Sequence, residues 1–235
     1  MNTLGDLVAR KRRDDDPALA VPDSRGYDYH RLCTTAWKTG NFLRHLGVRE
    51  GVTVAIRTAP AAQPVLGFFG AVLLGSGVRF DPPTEIDARV LLAPGESVEE
   101  YELPPGGQYV SYGDSVPDPT VSHFETDVWS ENPVFPETPL PPETVALSRS
   151  DARELSHAEL LDAGNVVASE WGLEPGDSIA VRAPLADPRT VAAGLVAPLL
   201  AGAEISLDPD RTADFAVSDS AAPEPSVLAL DDVPL

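Results

Sequence analysis

Cysteine is nearly absent from this sequence, and its scarcity removes several chemistries at once. Cys33 is the only one, so no internal disulfide exists and no cysteine-based metal cluster is possible. A lone cysteine on a helix reads as a small apolar packing residue rather than a nucleophile. Lysine is almost as rare: Lys11 and Lys38 are the only two, and arginines supply the remaining basic charge. No apolar run reaches the roughly 20 residues of a membrane-spanning helix. The best candidate, Pro64 to Val78, is shorter and is interrupted by glycines. No apolar signal segment follows the charged stretch RKRRDDD at 10–16. These absences point to a soluble cytoplasmic protein without a membrane partner.

What is abundant is negative charge. Asp and Glu number 37 against 17 Lys and Arg, a net charge of −20. Charges at this density repel one another in dilute salt. At about 1 M salt the screening length falls to about 3 Å and the repulsion largely disappears. The composition is therefore read as halophilic, an adaptation to a salt-rich cytoplasm, with an acidic binding surface as the alternative. Nucleic acid is excluded as a partner, because phosphates need a basic face.

At 235 residues the chain is long enough for one α/β domain or two small ones. It contains an internal repeat. With an offset of 125, Gly47 falls on Gly172, Gly51 on Gly176, Ala55 on Ala180, Arg57 on Arg182 and Gly77 on Gly202. With an offset of 127, Asp81-Pro82 falls on Asp208-Pro209, and ARVLL (88–92) on FAVSD (215–219). Each copy reads as a helix (about 30–46 and 157–171), a short apolar strand, a small-residue helix (about 62–75 and 188–201) ended by Gly77 or Gly202, and further strands. Leu32, Ala36, Leu43 and Leu46 recur at helical spacing, and Gly47 stands where a left-handed helix cap is wanted. Strands alternating with helices imply parallel sheets layered with helices. The chain divides on this basis into a first α/β half at 1–92, a Pro-rich connection at 93–144 and a second α/β half at 145–235. The connection holds ten prolines and two strand-like runs, QYVSY (108–112) and TVSHF (120–124). Its last part, 131–144, reads as extended chain, since Pro lacks an amide donor and restricts the residue before it.

The stretch VALSRSDARELSHAELL (145–161) carries the functional question. It enters as a strand and leaves as a capped helix, with Ser156 and Glu159 in the capping-box spacing. A strand turning into a helix is a common phosphate site, because free N–H groups and the helix dipole face the anion. Such turns are usually rich in Gly, and this one has no Gly, Lys or Thr. Hydroxyls of Ser148 and Ser150, with Arg149 and Arg153, are the remaining candidates for holding an anion, opposed by Asp151 and Glu154.

The order of these pieces resembles the N-terminal part of adenylate-forming enzymes: acyl-CoA synthetases, luciferases and peptide-synthetase adenylation domains. The similar stretches are YDYHRL, LGVREGVTVAI and GFFGAVLLGSGVRFDPP, then LSHAELL, LEPGDSIAVRAPL and GLVAPLLAGAEISL. The resemblance implies two related Rossmann-like α/β halves with mostly parallel sheets. It also implies a Ser/Thr/Gly-rich phosphate loop, ending in Pro-Lys-Gly, before the pair matched by Ser156-His157. Here the run is about five residues too short and lacks the glycines and the lysine. The resemblance extends to APL at 183–185, where the family places an aromatic or His beside the acyl pocket; Ala186 and Asp187 stand there instead. The candidate anion or ligand residues are thus Ser148, Arg149, Ser150, Arg153, Ser156, His157 and Pro184. His30, His45 and His123 are read as solvated or packed. No catalytic set and no metal site is read.

Three functions stay open. The first is a non-catalytic relative, truncated to the family's N-terminal region, that binds a protein such as a full-length synthetase or forms a homo-oligomer, with no cofactor. The second is an acyl-CoA synthetase fragment completed by another chain, using ATP/AMP and CoA. The third is a small-molecule binder at the cleft between the halves.

Overall fold

The computed structural model describes residues 1–136, 139–148 and 154–235. Its strands, in chain order, are β1 (Pro17–Ala20), β2 (Tyr27–Asp28), β3 (Thr53–Ile56), β4 (Gly77–Phe80), β5 (Val90–Pro94), β6 (Gln108–Tyr112), β7 (Val121–His123), β8 (Val145–Ser148), β9 (Glu154–Ser156), β10 (Ser178–Val181), β11 (Glu204–Ser206), β12 (Phe215–Ser218) and β13 (Ser226–Ala229). The helices are α1 (Tyr29–His45), α2 (Ala62–Val72), α3 (Phe124–Ser130), α4 (His157–Trp171), α5 (Pro188–Val191) and α6 (Ala197–Ala201), with a π-helical turn, Ala192–Val196, joining the last two.

Contacts group the chain into two compact units. One comprises Thr34–Ala59 and Gln63–Leu155. It is built on a seven-stranded sheet in the order β7-β6-β5-β3-β4-β8-β9. The pairs from β7 through β8 are all parallel. Such strands are covered on both faces and so read as continuous apolar runs rather than alternating ones. Val54, Ala55 and Ile56 of β3 and Val90 and Leu91 of β5 are fully buried, as are Phe68 and Phe69 of α2.

The other unit comprises Met1–Cys33, Pro60–Ala62 and Ser156–Leu235. Its six-stranded sheet runs β13-β12-β10-β11-β1-β2, parallel except for the antiparallel β1–β2 edge. Here the structure departs from the boundaries drawn on sequence. The first 33 residues, read as part of the first half, pack with the second: Leu19 and Ala20 of β1 register with Ile205 and Ser206 of β11. A four-residue strand far from its partner in sequence carries no local mark of where it will pair. Strands β2 and β13 and helix α3 were also absent from the sequence reading, being short elements among turn-forming residues.

The predicted elements appear in the predicted order in both stretches, α1-β3-α2-β4-β5 and α4-β10-α5-α6-β11-β12. Gly47 (φ 85°) and Gly172 (φ 61°) both close their helices in the left-handed region. One detail is corrected: Gly75, with φ 71°, follows α2 as its left-handed residue, while Gly77 opens β4. Matching elements rather than letters, Thr53 meets Ser178, Ala62 meets Pro188 and Gly75 meets Gly202, at offsets of 125, 126 and 127. One extra residue thus enters the second copy before its helix. The other enters within it, where the π-helical turn absorbs a residue that an unbroken α-helix would not. Among the described residues no helix is long and apolar enough to cross a membrane.

Candidate functional site at the start of the fourth helix

The predicted site begins where β8 ends. Ser148 is half-buried, and its hydroxyl donates to the Val78 carbonyl of neighbouring β4 at 3.5 Å. Three predicted residues, Arg149, Ser150 and Arg153, lie outside the described residues. Only five residues separate β8 from β9.

Ser156 is the N-cap of α4, in extended backbone that aims its side chain at the first turn. The Glu159 amide donates to Ser156 Oγ at 3.2 Å. In return, one Glu159 carboxylate oxygen accepts from both the Ser156 amide and its hydroxyl, each at 2.8 Å. The exposed end of this helix therefore carries an anion of its own. The Ser156 hydroxyl has one hydrogen to donate, and its hydrogen bond goes to Glu159.

His157 is fully buried. Its Nδ1 accepts from the Leu4 amide at 3.1 Å, which makes Nδ1 the unprotonated nitrogen. Burial pushes its pKa down to about 4, so the ring is neutral at pH 7. The ring fastens the N-terminal 3₁₀ turn Leu4–Val8, whose Leu4, Leu7 and Val8 are themselves fully buried. His157 is thus an interior strut for the chain's first residues, a role its position in the Ser-His pair did not signal. Pro184 lies elsewhere, exposed in the turn between β10 and α5, where its carbonyl accepts from the Asp187 amide at 3.1 Å. Asp187 caps α5 and forks onto Arg189, which also reaches Asp231 at 2.8 Å.

Two arginines not singled out for function stand at equivalent strand ends. Directly after β3, the Arg57 amide donates to Leu92 O at 2.9 Å; directly after β10, the Arg182 amide donates to Val217 O at 2.8 Å. Arg57 pairs with Asp81 at 3.0 Å, and Arg182 pairs with Glu224, whose side chain is fully buried. Burial raises the Glu224 pKa, but donation from Arg182 and from backbone amides outweighs it and holds the carboxyl below its ordinary value. The only spacing signal for this pair is the Arg57/Arg182 match of the repeat. Cys33 is fully buried and burial pushes its thiol up to about 11, in keeping with a packing role. Among the described residues no group of three or more His, Cys, Asp or Glu is placed to hold a metal.

The sequence matches no protein-family model and no curated protein. Solved structures do match. An anthranilate CoA ligase, AuaEII, solved in complex with anthranoyl-AMP, superposes with a TM-score of 0.75 at 20% identity, over 92% of this chain and 49% of its own. A benzoate CoA ligase from Burkholderia xenovorans LB400 gives 0.74 at 18%, over 92% and 50%. The luciferase-like enzyme of the nonluminescent Zophobas morio mealworm gives 0.73 at 13%, over 92% and 59%. The fold is that of the N-terminal region of adenylate-forming enzymes. The chain spans about half the length of these enzymes.

Proposed function

We propose that the protein is a non-catalytic relative of the adenylate-forming enzymes and acts as a binding or regulatory partner of another protein. The observation that carries this reading is the carboxylate of Glu159 at the α4 N-terminus. It accepts from the Ser156 amide and hydroxyl, the donors that would otherwise face a phosphate. A phosphate brought there would have to displace Glu159 from both donors. The connection before it has no lysine and no glycine to let the backbone approach, and its Arg149 and Arg153 are matched in number by Asp151 and Glu154. His157, buried and neutral, offers no cation either. These features support a role in which no nucleotide phosphate is held at this helix end. ATP, AMP and CoA fall outside the proposed role.

Acid-dependent exchange of pyrophosphate into ATP, measured with the pure protein across short and long carboxylic acids, tests this reading. The expected result is no exchange above the buffer blank, since loss of positioned donors costs phosphoryl-transfer chemistry orders of magnitude in rate. Exchange with any acid would overturn it.

A further inference from the structure

Trp129 is 82% exposed and Val134 64% exposed, the two most exposed large apolar side chains among the described residues. They belong to one short stretch, the end of α3 and the segment after it. The side chains of α1 fasten that stretch from below. Lys38 donates to the Trp129 carbonyl at 2.7 Å, and its ammonium lies 5.3 Å from the centre of the indole ring. One turn along α1, the Asn41 side chain donates to the carbonyls of Asn132 and Val134 at 2.9 and 3.0 Å. Phe135 then turns inward, 7% exposed, beneath the Arg44 guanidinium. The ring of Trp129 is thus held outward by a fixed backbone and a cation–π contact, which lowers the conformational entropy lost when a partner covers it.

One of only two lysines in the chain is committed to this arrangement. The surroundings are otherwise acidic. Glu125, 37% exposed and 3.3 Å from His123, lies one turn before Trp129 on the same face of α3, and Asp127 precedes the ring by two residues, while Glu131 after it pairs with His45 at 2.9 Å. A large, oriented aromatic with an acidic rim fits a partner whose apolar pocket is edged by basic side chains. It fits a second copy of this chain less well, because a self-contact through the same face would set its acidic side chains against one another.

We infer that Trp129 is the anchor of a docking surface for another protein, inserting into an apolar pocket rimmed by Arg or Lys. This names the chemistry of the partner in the binding role proposed above, and it is tested apart from that role: pyrophosphate exchange decides catalysis, and crosslinking decides the surface.

A photo-reactive phenylalanine placed at exposed Ser130 leaves Trp129 intact. Crosslinking is carried out in native extract, and the captured protein is identified, purified and titrated against the full chain. The expected result is one protein crosslinked at a basic-rimmed site. Its affinity should fall about tenfold or more for Trp129→Ala, as for an interface hot spot, and should weaken as salt is raised. Because Trp129 is exposed, Trp129→Ala keeps the wild-type melting temperature, which separates loss of binding from loss of fold. Lys38→Met should weaken binding by a smaller factor. No crosslinked protein, crosslinks only to copies of this chain, a crosslinked site without basic residues, or unchanged affinity for Trp129→Ala would each overturn the inference.

Discussion

Arg57 and Arg182 stand directly after strands β3 and β10, yet their surroundings differ in kind. Each follows the central strand of its sheet, and each ties that strand to the next through its backbone amide. The Arg57 side chain is 48% exposed and its Asp81 partner 20%, whereas Arg182 is 16% exposed and Glu224 is fully buried. In water the first pair is screened and worth little. The second pair is largely removed from water, where Glu224 is held by Arg182 together with backbone amides and Arg182 also donates to the Pro209 and Arg211 carbonyls. Repetition of a residue thus repeats a backbone role without repeating its energetics.

The sharpest break of this comparison removes each arginine in turn. Arg182→Met strands the Glu224 carboxylate in the interior and should destabilise the protein by about 3–5 kcal/mol in urea unfolding, with little relief from salt. Arg57→Met should cost about 1 kcal/mol or less, and the difference from wild type should vanish near 1 M KCl. Equal costs at the two sites would show that burial does not separate them.

A second effect belongs to the unit that contains Arg182. His157 has an ordinary pKa of 6.5 and a folded value of about 4. Between these values the unfolded chain binds a proton that the folded chain refuses. Stability is therefore fully present above pH 6.5 and falls as pH drops towards 4, by about 3 kcal/mol in all. Asn at this position keeps an acceptor for the Leu4 amide without a titrating group. The pH dependence of unfolding for His157→Asn, compared with wild type at pH 7, 5.5 and 4.5, should be flatter by about 2 kcal/mol over that range.

The smallest effect compares the two helix ends. Alanine at Gly172 pays only for its left-handed backbone, because a Cβ there meets nothing within 4 Å. Alanine at Gly47 adds a contact of 2.7 Å with the Arg89 guanidinium, which is bonded to Leu46 O. Thermal melts should give about 1 kcal/mol for Gly172→Ala and about 2 kcal/mol for Gly47→Ala.

Much of the fold was legible because its signals are local. Helical spacing set α1 and α4, Ser156 with Glu159 marked a capping box that the structure contains, and apolar runs between turns set β3, β5, β10 and β12. At the candidate site the legibility was uneven. Ser156 could be read because its partner is three residues away. The burial of His157 could not, because its partner is 153 residues away.

The alternation of the longer strands and helices, the left-handed Gly47 and Gly172 and the excess of acidic residues follow from the sequence by itself, since each depends on neighbouring residue types or on plain counting. Tertiary structure alone decided that β1 joins β11, that His157 braces Leu4 and that Arg182 rather than Arg57 holds a buried carboxylate. The physical reason is that burial and strand partnership are properties of assembled layers. A short segment has no local pattern that specifies which distant surface will remove it from water.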